Sequence, residues 1–129
     1  MPQSILKDLK YSIVTPRNGI GYNFMASKVT NYDVGEFLKS EGFGVASRPF
    51  EQAVQGNTVL ILAPTAAAAD ACQRSYYKKL GDTQIGFKAK KWRIDFDSGG
   101  RLEIFTPSVN INIFNRLDRE KTFYYLYRE

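Results

Sequence analysis

A chain of 129 residues, 43% hydrophobic and 14% aromatic, has the length and apolar content of one packed domain and excludes wholesale disorder. Its net charge of +5 favours polyanionic partners over basic ones. With no histidine and one cysteine, it excludes Ser-His-Asp and Cys-His catalysis, histidine metal sites, zinc fingers and internal disulfides.

The lone Cys72 fits a reducing compartment, and the N-terminal MPQSILKDLKYS lacks the apolar stretch and cleavage site of a secretory signal. The longest apolar run, residues 58–69, contains Pro64 and falls well short of the ~20 residues that span a membrane. A cytoplasmic location without a membrane partner is expected.

In chain order, residues 4–10 are expected to form a short helix with Ile5, Leu6 and Leu9 on one side. Residues 11–15 and 22–29 read as an early hairpin around Arg17-Asn18-Gly19, because Asn-Gly supplies the positive φ angles of a tight turn. A helix from Asn31 or Asp33 to about Ser40 carries Val34, Phe37 and Leu38 as its apolar stripe, and Gly42 lies just past its end. Residues 43–48 read as a strand stopped by Pro49, and residues 50–55 as one helical turn.

Val59-Leu60-Ile61-Leu62-Ala63 is continuously apolar, the pattern of a strand buried on both faces. Pro64 closes it and Thr65 is placed to cap an alanine-rich helix over residues 66–80, with Asp70 four residues before Arg74 and Gly81 at the stop.

Residues 91–97 and 101–106 flank Ser98-Gly99-Gly100 as a hairpin. A three-residue loop, with Gly100 left-handed, pairs Asp97 with Arg101, Asp95 with Glu103 and Arg93 with Phe105. Trp92, Ile94, Phe96, Leu102 and Ile104 then share the opposite, apolar face, whereas either two-residue loop mixes Leu102 with an aspartate. Val109, Ile111 and Ile113 alternate with Asn110, Asn112 and Phe114 as a further strand, with residues 122–127 pairing against it. The expected fold class is α+β: a single domain over residues 1–129, with a mainly antiparallel sheet and two or three helices.

The segment RSYYKKLGDTQIGFKAKKWR, residues 74–93, concentrates the chemistry. Arg74, Lys78, Lys79, Lys88, Lys90, Lys91 and Arg93 are interleaved with Tyr76, Tyr77, Phe87 and Trp92, and Asp82 is the one acid among them. Cations that neutralise phosphates, set among flat rings that stack on unpaired bases, are what a single-stranded nucleic acid site requires. The expected interface comprises these seven cations and Arg101 on phosphates, with Tyr76 or Tyr77 and Phe105 on bases. Phe105 qualifies by its place opposite Arg93 on the charged hairpin face, provided no second layer covers it. Trp92 falls on the apolar face and reads as core. Lys78 and Lys79 also suit the negative end of a helix dipole, which gives them a purely structural alternative.

A second cluster, Phe123, Tyr124, Tyr125 and Tyr127, places rings on both faces of a terminal strand and reads as an oligomer interface, with nucleic-acid contact or core packing as alternatives. Asp95, Asp97 and Glu103 have the chemistry of nuclease metal ligands, but Arg93 and Arg101 among them make cross-strand ion pairs the simpler account. No catalytic residue, metal or cofactor is expected. Gly81 to Gly86 has the outer spacing of a phosphate-binding loop, yet Phe87 stands where its lysine belongs. Residues 59–65 and the alanine-rich helix look like the strand and helix after the nucleotide loop of helicase and terminase motors; without the motor's lysine, the likeness implies no activity.

In size, charge, lack of histidine and its clusters over residues 74–93 and 123–128, the chain resembles small early proteins of tailed phages. In particular it looks like the single-stranded-DNA-binding cofactor of phages that make their own middle-gene RNA polymerase. That resemblance implies binding to melted promoter DNA, self-association and recruitment of a phage RNA polymerase in the host cytoplasm. The function expected is therefore a non-enzymatic single-stranded-DNA-binding protein, an accessory factor in phage transcription or DNA metabolism. The rival readings are an interaction module that inhibits a host enzyme by docking its basic face on an acidic partner, a carboxylate metallonuclease, and a binder of double-stranded DNA or RNA.

Overall fold

The computed structural model describes residues 31–107 and 111–128; the helix and hairpin expected over residues 4–29 lie outside them. Helix α1 (Asn31–Ser40) buries Val34, Gly35, Phe37 and Leu38, the stripe that its i, i+3, i+4 spacing requires. Gly42, at φ +91°, takes the left-handed position that ends it. The strand expected over residues 43–48 shrinks to β1 (Gly44–Val45), and α2 (Pro49–Val54) follows with its proline in the first turn, where no backbone donor is missed.

Strand β2 (Thr58–Leu62) is buried from Val59 onward. Thr65 caps α3 (Ala66–Gly81): its hydroxyl accepts from the Ala68 N–H at 3.1 Å. Strands β3 (Phe87–Lys90), β4 (Arg93–Phe96) and β5 (Arg101–Phe105) form a meander, and β6 (Thr122–Leu126) closes the chain after 3-10 turns at Ile111–Arg116 and Arg119–Lys121.

The six strands lie in the order β1-β6-β2-β5-β4-β3. β1, β6, β2 and β5 run parallel, while β3-β4-β5 is antiparallel, so the single α+β domain has a mixed sheet. Its central β2 explains the apolar run: it has strand neighbours on both edges and a core on both faces. On one face Leu60 and Leu62 meet Phe37, Leu38, Phe105, Phe114 and Tyr124. On the other, Val59 and Ile61 meet Ala68, Ala69, Cys72, Tyr76, Ile94 and Leu102 beneath α2 and α3.

Three expectations are corrected. The β4–β5 hairpin pairs Asp95 with Arg101 and Arg93 with Glu103, two residues away from the expected register. Parallel pairing of Thr58 with Arg101 and the Arg101 N–H bond to the Asn57 carbonyl fix where β5 starts, so β2 overrides the loop. A shift of two keeps the strand side chains on their faces, which is why Ile94, Phe96, Leu102 and Ile104 are buried as expected. The left-handed residue is Gly99; Gly100 is a glycine because a Cβ there would collide with the Ala53 carbonyl.

The strand expected over residues 109–113 is, in its described part, the start of a 3-10 turn. β6 does not pair with it. Instead β6 inserts in parallel between β1 and β2, and parallel neighbours require a crossover of this length. Phe114, carried on that crossover, packs its ring against Phe37, Phe43 and Phe105.

Candidate nucleic-acid interface

On the β3-β4-β5 meander, Lys88, Lys90, Arg93, Asp95, Arg101 and Glu103 share the sheet face opposite Ile94, Phe96 and Leu102, and all six are at least partly exposed. The sheet gathers Arg93 and Arg101 on one face as the alternation implied, and pairing with β4 adds Lys88 and Lys90 from β3, which was not expected as a strand. Their roles differ. Arg93 Nε lies 3.1 Å from Asp95 Oδ1, and its Nη1 lies 3.5 Å from Glu103 Oε1. Arg101 Nε sits 2.9 Å from the same Glu103 oxygen, at an angle that makes an ion pair without a hydrogen bond. Two arginines and two acids thus neutralise one another along the strands, which accounts for the carboxylates without a metal. Lys88, Lys90 and Lys91 have no ion-pair partner among the described residues, nor do Arg74, Lys78 and Lys79 on α3. The free cations flank the meander's outer edge and the last turns of α3.

Lys91 and Trp92 form the two-residue turn between β3 and β4, where Lys90 pairs with Arg93. Trp92 has φ +58°, a left-handed backbone that costs a bulky residue roughly 1–3 kcal/mol and is ordinarily given to Gly or Asn. Helix α3 holds it there. The buried Gln73 amide donates to the Lys90 carbonyl at 2.6 Å and its oxygen accepts from the Trp92 N–H at 3.1 Å. The Trp92 indole N–H donates to Asp70 Oδ1 at 2.8 Å, and the Trp92 carbonyl accepts from the Ile104 N–H. Asp70, four residues before Arg74, is thus engaged by the indole. Gln73 also donates to the Tyr77 hydroxyl at 2.9 Å, so one side chain ties the exposed Tyr77 to the turn.

Trp92 is half-buried, neither the core residue that its register implied nor a free ring. The exposed Lys91 ammonium lies 5.0 Å from the ring centroid, which marks that face of the indole as open to solvent. Trp92 is not legible as a site residue from the sequence because the strand expected over residues 91–97 takes in both turn residues, Lys91 and Trp92. The two-residue spacing between the Lys-rich run and Arg93 was the signal available, but it lacks the Gly or Asn that would have marked it.

Two expected base-stacking rings are withdrawn. Phe105 is 8% exposed and lies under Phe114, with centroids 6.0 Å apart, so a second layer does cover it. Tyr76 is also 8% exposed, parallel to Phe50 on the far flank of α3 from Trp92. Tyr77, at 38%, and Phe87, at 39%, are the rings of this segment that stand exposed.

The C-terminal cluster divides between one buried and three partly exposed rings. Tyr124 is core, and Phe123, Tyr125 and Tyr127 pack against the α3 side of the sheet. Phe123 fits over Gly44, where any Cβ would overlap its ring. Burial pushes the Cys72 thiol up to about 12, leaving it without thiolate character at neutral pH. Among the described residues no group of three or more acidic or thiol ligands is placed to hold a metal, and no helix is long and apolar enough to cross a membrane.

Comparison with protein-family models, with curated proteins and with solved structures found no match for this chain.

Proposed function

We propose that the chain is a single-stranded-DNA-binding accessory protein that takes the strand along β3 and the β3–β4 turn. The observation that carries this reading is the turn itself: an indole fixed in a strained backbone conformation, beside three lysines without ion partners among the described residues. Strain of this kind persists where surrounding bonds over-determine it, and it clusters at ligand-binding positions. A base arriving on the indole displaces the Lys91 ammonium, which then meets the adjoining phosphate. Lys88 and Lys90 follow the backbone along β3, and Tyr77 and Phe87 offer further faces. Each stacked base is worth ~1–3 kcal/mol without sequence preference, and each neutralised phosphate makes binding salt-dependent. A phage-type RNA polymerase as second partner follows from the resemblance above. Any self-association would use surfaces other than Tyr124, which is occupied in the core.

Trp92 is the chain's one tryptophan, so its emission reports this site alone. A single-stranded oligonucleotide of ~20 nucleotides should quench it saturably at low salt, as stacking requires. Binding detected by anisotropy with no change in Trp92 emission would place the nucleic acid elsewhere. Absence of binding would leave the docking of the basic face on an acidic protein as the better account.

A further inference from the structure

On the flank of α3 away from Trp92, an open cleft of about 360 Å³ is lined by Ser47, Arg48, Phe50, Glu51, Tyr76, Lys79 and others. Beside one carboxylate, Glu51, the lining gathers donors. Lys79 has no carboxylate partner among the described residues; its ammonium lies 5.7 Å from the Tyr76 ring centroid. Arg48 is exposed and meets Glu51 through one nitrogen at 3.5 Å, a long and solvent-screened contact that leaves most of its guanidinium donors unused. Ser47 adds a hydroxyl and Tyr125 a phenol.

Tyr76 supplies the independent observation. It is more than nine-tenths buried, lines the cleft, and its hydroxyl has no hydrogen-bond partner among the described residues. The hydroxyl is not one of the buried unpartnered atoms, so it reaches solvent at the cleft and is available to donate to an acceptor there. Phe50, parallel to the Tyr76 ring at 3°, gives the cleft an apolar wall.

We propose that this cleft binds a phosphate monoester, with Arg48 and Lys79 neutralising the dianion, Tyr76 and Tyr125 donating to its oxygens, and Phe50 lining the side where the ester's organic group sits. Two cations suit the doubly charged form, and guanidinium–phosphate contacts are among the stronger charge-assisted bonds. The same chemistry is presented by a free nucleoside monophosphate and by the 5′ end of a strand. The site lies apart from Lys88, Lys90, Lys91 and Trp92 and stands or falls separately from single-strand binding.

Calorimetry with phenyl phosphate and with adenosine monophosphate on the full chain tests it, using about 10 mM ligand so that millimolar affinity registers. Saturable binding is expected, strengthening from pH 5 to pH 7.5 as the second phosphate proton leaves near pH 6. Arg48→Ala and Lys79→Ala should each weaken it roughly tenfold or more. Both residues are exposed, so folding is not at issue, and Tyr76→Phe, which keeps the ring, should weaken it as well. Lys88→Ala with Lys90→Ala should leave it unchanged. A 5′-phosphorylated oligonucleotide that binds more tightly than its 5′-hydroxyl twin, with the gain lost in Lys79→Ala, identifies strand ends as the source; equal affinities identify the free monophosphate. No monoester binding by the wild type, or binding that survives Arg48→Ala with Lys79→Ala, overturns the proposal.

Discussion

Gln73 shows how one buried amide sets the site. It satisfies the Lys90 carbonyl, the Trp92 N–H and the Tyr77 hydroxyl together, at 2.6, 3.1 and 2.9 Å. Gln73→Ala strands two partly buried backbone groups and should cost roughly 2–4 kcal/mol, measurable by urea unfolding, with a shift of Trp92 emission as the turn loosens. A change under ~0.5 kcal/mol would mean that the turn holds its left-handed shape unaided. Cys72 gives a pH test. Its folded-state thiol, raised from 9.0 to about 12 by burial, keeps its proton where the unfolded chain has lost it. That contribution is whole below pH 9 and is lost as pH climbs from 9 towards 12. The alkaline fall in melting temperature should therefore be shallower in Cys72→Ala; equal slopes would show that the thiol is not the titrating group.

At the scale of elements, the meander divides labour between its cations. Arg93 and Arg101 are engaged with Asp95 and Glu103, while Lys88, Lys90 and Lys91 have no ion-pair partner among the described residues. Lys90→Ala with Lys91→Ala should weaken single-strand binding about tenfold, reduce the salt slope by about 0.7 per lysine, and leave stability within ~0.5 kcal/mol. An unchanged affinity would put the phosphates on α3 instead. Much of this was legible from local pattern. The cap at Thr65, the α1 stripe, the buried β2 and the face alternation of β4 and β5 each follow from side-chain chemistry within a few residues. What was not legible depended on distant partners. Residues 87–90 are exposed throughout, so no apolar rhythm announced β3. Phe105 looked displayed because the residue that covers it, Phe114, arrives on a crossover that read as a strand. The run of lysines and aromatics was legible, but which rings face solvent is a property of packing.

The whole molecule turns on β6. As an interior strand it pairs with β2 over five residues and with β1 over two, and Tyr124 fills the core under α1. Deleting residues 122–129 should therefore abolish the cooperative melt rather than release a folded smaller species. A truncated chain with a native melting transition would contradict the interior placement. The parallel core leaves the antiparallel meander at one side, where among the described residues no helix covers the β3 lysines. On the proposed reading, nucleic-acid binding is a surface property that substitutions should remove without unfolding the domain.

The most direct test of that claim is a titration of a ~20-nucleotide single strand and its duplex across a range of salt, with Trp92 emission as the readout. The account predicts tighter binding to the single strand, because unpaired bases alone expose full faces to the indole, and a log–log salt slope near −0.7 per phosphate neutralised. Equal affinity for strand and duplex, or an affinity indifferent to salt, would contradict it.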